Sequence, residues 1–143
     1  MGIRCTCGVF TTIKAFATDV NVQFVGVPGT VRGNLRYIVN ACVDFLEAST
    51  LTLVFTQTES GPPDRSFTFE ASKITCTNCL SMGNTCVVTV AGEGTGGRTF
   101  FAEFRDTPDT AANDLVQSFM ISGFFNQGGA VPVPQGSIIS VGC

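Results

Sequence analysis

The chain has 143 residues, 44% of them apolar and 13% charged, with a net charge of −3 and seven cysteines but no histidine and no tryptophan. That length suits one domain with a proper core and is short for two. Nucleic acid is excluded as a partner by the absence of clustered Lys or Arg. Without His the chain lacks the commonest general base and the commonest metal ligand, so neither an enzyme nor a cofactor or metal site is expected.

From the N-terminus onward nearly every segment alternates with period two. Val9 to Ala17 and Val20 to Phe24 read as a first pair of strands. Val31, Gly33, Leu35, Tyr37, Val39, Ala41, Val43 and Phe45 continue as one long strand or two joined at a bulge. Leu51, Leu53 and Phe55 mark another, Phe67 and Phe69 a short one, then Cys86 to Val90 and Phe100 to Phe104. Asp109 to Leu115 is the one helix candidate, a turn or two with Asp109 or Thr110 as N-cap. Leu115 to Ile121, Val131 to Val133 and Ser137 to Val141 complete the series.

Turn chemistry separates these runs: Pro28-Gly29, Ser60 to Asp64, Met82-Gly83-Asn84, Gly92 to Gly97, Asn126 to Gly129 and Pro134-Gln135-Gly136. Gly92 to Gly97 lacks the Lys-Ser/Thr ending of a phosphate loop and reads as a hairpin. Short strands at this spacing predict an all-β fold, an antiparallel jelly-roll-like β-sandwich of about eight strands. Residues 1–8 read as an N-terminal connector arm and residues 9–143 as a single β-sandwich domain.

Thirteen phenylalanines suit a core filled from two inner faces. Phe101, Phe124 and Phe125 are exceptions. Adjacent rings point to opposite faces of a strand, so these three are candidate exposed contacts. The acids Glu103, Asp106, Asp109 and Asp114 cluster near Pro108 and are the best residues for an enzyme reading, but a solvated loop accounts for them better.

The cysteines are the most informative residues. Cys5 and Cys7 lie two apart on an extended arm and so face the same side, where closing on each other would strain the disulfide. An odd total leaves at least one cysteine without a partner in its own chain, which suggests pairing between chains. Cys5, Cys7 and Cys143, on the end segments, are the inter-subunit candidates; an arm folding back onto an internal cysteine is the alternative. Cys42, Cys76, Cys79 and Cys86 are intra-chain or receptor candidates. Cys76-Thr77-Asn78-Cys79 with Cys86 reads as a polar connection holding a structural disulfide from Cys76 or Cys79 to Cys86. It is short of the two spaced pairs of a zinc site. Cys42 sits in a strand, on the face carrying polar residues, as an inert thiol or the partner of an incoming arm.

No stretch reaches the ~20 apolar residues of a membrane span, and the N-terminus lacks the apolar run of a secretory signal. Met1-Gly2-Ile3-Arg4-Cys5-Thr6 fits a myristoylation pattern, with Cys5 open to palmitoylation, but six further cysteines and no polybasic patch fit that reading poorly.

A small all-β domain with the arm pair "CTC" at Cys5 and Cys7 and no secretory signal resembles the Ena-type endospore appendage subunits of spore-forming bacteria. That resemblance implies jelly-roll subunits that add sheet edge to sheet edge, with arm cysteines bonding cysteines of the preceding subunit. The expected function is a structural, self-assembling subunit of an extracellular or spore-surface filament whose partners are other copies of itself. The alternatives are a viral shell or tail protein of jelly-roll type and a ligand-binding β-sandwich module; lack of Trp counts against sugar binding.

Overall fold

The computed structural model describes residues 5–61, 63–107 and 113–143. It is all-β and antiparallel, with eleven strands rather than about eight. The surplus is in short pieces at the periphery. Strands β1 (Gly8–Thr11) and β2 (Phe16–Phe24) correspond to the first expected pair, but the break lies elsewhere. Ala15 N–H turns back to the Thr12 carbonyl at 3.1 Å, whereas Thr18 and Asp19 form a bulge inside β2. Asp19 takes φ of 54°, a conformation Asp tolerates, and its N–H donates to Asn34 Oδ1 at 3.1 Å.

Strand β3 (Val31–Cys42) is buried at every second residue but stops at Cys42 instead of running on to Phe45. Ser49 causes the stop. Its hydroxyl accepts the Cys42 N–H at 3.0 Å and donates to the Phe45 carbonyl at 2.8 Å, holding Val43–Ala48 as a 3₁₀ turn. Next come β4 (Thr50–Gln57) and β5 (Phe67–Met82), a strand of 16 residues. The stretch from Cys76 to Cys79, expected as a loop, therefore lies within a strand. Between Ala71 and Met82 only Ile74 and Thr77 are buried, so too few apolar residues alternate there to announce β structure.

Strands β6 (Thr85–Gly94) and β7 (Arg98–Asp106) join through a 3₁₀ turn at Thr95–Gly97. Gly92 must be glycine, since a Cβ there would run into the Lys73 carbonyl of β5. After β7 come β8 (Asp114–Ile121), β9 (Phe125–Asn126), β10 (Val131–Val133) and β11 (Ile138–Val141). Of the expected helix, residues 109–112 lie outside the described residues, and Asp114 and Leu115 belong to β8.

Pairing closes on itself. The hydrogen-bonded order β3-β4-β5-β6-β7-β8-β9-β2 returns to β3, because β3 pairs with β4 along one edge and with β1 and β2 along the other. β10 and β11 hang off this closed path, each paired along one side only, to β8 and β1 respectively. β5 makes the corner: Phe67 to Glu70 pair with β4, and Ala71 to Met82 with β6.

The interior is aromatic. Phe24, Phe55, Phe67, Phe124 and Phe125 form one cluster with ring centroids 4.9 to 6.4 Å apart, mostly edge to face. Phe69, Phe100, Phe119 and Tyr37 continue it. Fully burying such a ring, as at Phe55, Phe119 and Phe125, stabilises the fold by about 1.5–3 kcal/mol.

Candidate interaction surface

β1 lies against the end of β3 with Gly8 opposite Cys42, and the Val43 N–H donates to the Cys7 carbonyl at 2.8 Å. This seats the N-terminal segment over Cys42, and Cys5 bonds Cys42 with Cα atoms 5.9 Å apart. By alternation Cys42 belongs to the polar face, yet it is buried because the arm covers it. Asp44 anchors the same segment by accepting Thr6 N–H and Thr6 Oγ1, both at 2.7 Å. Those two bonds, the backbone one first, hold its carboxyl below the usual range.

Cys7 bonds Cys79 on β5, and Cys86 bonds Cys143. The expectation that Cys5, Cys7 and Cys143 face outward to another chain thus differs from the structure, where each meets a cysteine of its own chain. Both ends fold back along strands, and strand pairing carries the thiols with it. The expected link from Cys76 or Cys79 to Cys86 is also replaced. In the β5–β6 register Cys86 lies opposite Ser81, Cys79 opposite Val88 and Cys76 opposite Ala91, so the three thiols are spread along the hairpin. Cys79 and Cys86 then take different partners. The odd cysteine is Cys76, exposed and unpaired.

Three disulfides make this a covalently stapled protein of extracellular type, suited to an oxidising setting. Among the described residues no helix is long and apolar enough to cross a membrane. One group of possible metal ligands, Cys5, Cys42 and Asp44, comes together, but its two sulfurs are joined to each other and present no thiolate.

The acids of the enzyme reading hold the fold together. Glu103 pairs with Arg105 at 2.9 Å. Asp106 accepts Ser140 N–H at 2.9 Å and Ser140 Oγ at 2.6 Å. Asp114 is fully buried and accepts the N–H groups of Thr107, Gly136 and Ile138, each at 3.0 Å. Two of those donors, Ile138 and Ser140, lie on β11, so the two carboxylates cap backbone groups that no strand pairs. The solvated-loop account fails for Asp114, and Asp109 lies outside the described residues.

Of the three candidate contact rings only Phe101 is exposed, at 42%. Phe125 is buried, and Phe124 packs 4.9 Å from Phe67 with Arg98 5.3 Å above its ring. Both rings turn inward because Ser122 to Phe124 form a turn, with Gly123 at φ of 69° and the Phe124 N–H on the Ile121 carbonyl. Strand alternation does not apply across a turn.

Phe101 belongs to a row that sequence patterning did not reveal. Register aligns Cys76 of β5, Ala91 of β6, Phe101 of β7 and Met120 of β8 side by side on the outer face. Phe101 and Met120 are half exposed there, as are Leu80 and Met82 further along β5. One residue from each of four strands makes the row, so only the pairing register discloses it. No family model, curated protein sequence or solved structure matches the chain.

Proposed function

We propose that this protein is a structural, non-enzymatic β-sandwich subunit that assembles with copies of itself into an extracellular or spore-surface filament. The observation that carries this reading is the surface. Nine large apolar side chains are exposed among the described residues, in a chain whose net charge of −3 offers little repulsion between copies. Disulfides from both end segments keep each unit folded under mechanical or chemical stress, which suits a load-bearing part. Exchange of arms between neighbouring copies would turn the Cys5–Cys42 and Cys7–Cys79 bonds into cross-links without changing their local geometry, as in domain swapping. This is the arrangement that the resemblance to Ena-type appendages implies. The acids support the non-enzymatic part, because Asp106 and Asp114 are engaged with backbone groups.

Electron microscopy of the purified, oxidised full chain tests the reading. Regular filaments are expected. Dispersed single molecules at high protein concentration overturn it.

A further inference from the structure

Cys5, Cys42 and Asp44 bring two sulfurs and a carboxylate oxygen within 4.8 Å of one another, and no other such group forms among the described residues. In the oxidised chain the two sulfurs are joined. We infer that reduction of Cys5–Cys42 converts this group into a zinc site, with two thiolates, the Asp44 carboxylate and one water as its four ligands. The inference stands apart from the filament reading.

Distances carry it first. Bonds of about 2.3 Å to sulfur and about 2.0–2.2 Å to oxygen place the ligand atoms of a tetrahedral zinc roughly 3.5–3.8 Å apart. Cys42 Sγ already lies 3.8 Å from Asp44 Oδ2. Breaking the disulfide frees the two sulfurs to part from about 2.05 Å to that same spacing, a change that side-chain rotation supplies.

The frame around the ligands does not depend on the bond that is broken. Gly8 stays paired opposite Cys42, and the Val43 N–H donates to the Cys7 carbonyl at 2.8 Å. Thr6 N–H and Thr6 Oγ1 donate to Asp44 Oδ2, each at 2.7 Å. Such outer hydrogen bonds orient a ligating carboxylate. Asp44 is exposed, which gives the ion an entry path and the water its place. The donor set selects the metal. Calcium and magnesium take oxygen ligands, whereas two thiolates favour zinc.

Opening the site takes two electrons and two protons from a small dithiol such as dithiothreitol, which leaves as its cyclic disulfide. Zinc then displaces the two thiol protons to solvent.

The test reduces the full chain with dithiothreitol, removes the dithiol without oxygen and adds zinc. Iodoacetamide labelling, read by peptide mass spectrometry, is expected to slow about tenfold or more at Cys5 and Cys42 and to stay unchanged at Cys76. Cobalt(II) in place of zinc gives a sulfur-to-cobalt absorption band in the reduced chain and none in the oxidised one. Asp44→Asn, an exposed change that leaves the core and every cysteine in place, weakens zinc binding about tenfold or more. Cys86→Ala with Cys143→Ala leaves binding unchanged. Zinc that protects no cysteine, or that protects Cys7, Cys79, Cys86 or Cys143 instead, overturns the inference. So does zinc that binds the Asp44→Asn chain as tightly as the parent. None of these outcomes bears on whether filaments form.

Discussion

Tyr37 and Gln127, ninety residues apart in sequence, meet in the buried core, where the tyrosine hydroxyl donates to Gln127 Oε1. The Gln127 amide nitrogen in turn donates to the Val116 and Gly129 carbonyls at 2.8 and 2.7 Å. One polar pair thus ties β3 to β8 and to the loop ahead of β10, with each polar atom matched.

Tyr37→Phe leaves Gln127 Oε1 without a donor in the interior. The expected loss is about 1–3 kcal/mol, read from the urea midpoint at neutral pH. Burial also raises the Tyr37 pKa well above 10.0. The unfolded chain then releases this proton at a pH where the folded chain keeps it. Stability is therefore full below pH 10.0 and falls as pH rises past it towards the folded value. Because Tyr37 is the only tyrosine, its phenolate absorbance appears only as the protein unfolds, and Tyr37→Phe loses this part of the alkaline decline.

Asp114→Ala deprives three backbone N–H groups of their acceptor at once. At about 1–3 kcal/mol for each buried donor, the loss is at least about 3 kcal/mol, seen as a large fall in thermal midpoint. Faster amide exchange at Ile138 localises the damage to β11.

Removing the Cys86–Cys143 bond with the double substitution Cys86→Ala and Cys143→Ala frees the C-terminal strand. For a bond spanning 57 residues, the expected cost is about 2–5 kcal/mol, measured by chemical denaturation. Ser140 amide exchange rises in this variant, and the midpoint stops depending on that bond when reductant is added.

Asp44→Asn weakens the tether on the N-terminal segment while Cys5–Cys42 remains. Thr6 amide exchange is expected to rise several-fold. In the parent chain the same loosening appears on acidification. The Asp44 pKa is depressed in the folded state, so its contribution is present above the ordinary carboxylate pKa and is lost as pH falls through the lowered value. Above that range, parent and variant differ; once Asp44 is protonated they converge.

Much of the architecture was legible in the residues. Val31 to Ala41 and Leu51 to Phe55 alternate cleanly because one face of each strand is buried and the other wet. β5 escaped notice beyond Phe69, since only Ile74 and Thr77 are buried there and no apolar alternation marks the strand. The stop after Cys42 depended on Ser49, and the inward turn of Phe124 on Gly123, both local bonds that periodicity does not register.

By itself the sequence determined an antiparallel β chain, rich in phenylalanine and poor in charge, with one cysteine too many for pairing at home. Those properties follow from composition and from the two-residue repeat of a strand, which each residue carries locally. Only the tertiary structure decided which cysteine is left over, because disulfide partners are set by strand register between segments distant in the chain. The same register lined up Cys76, Ala91, Phe101 and Met120, a surface that no single strand contains.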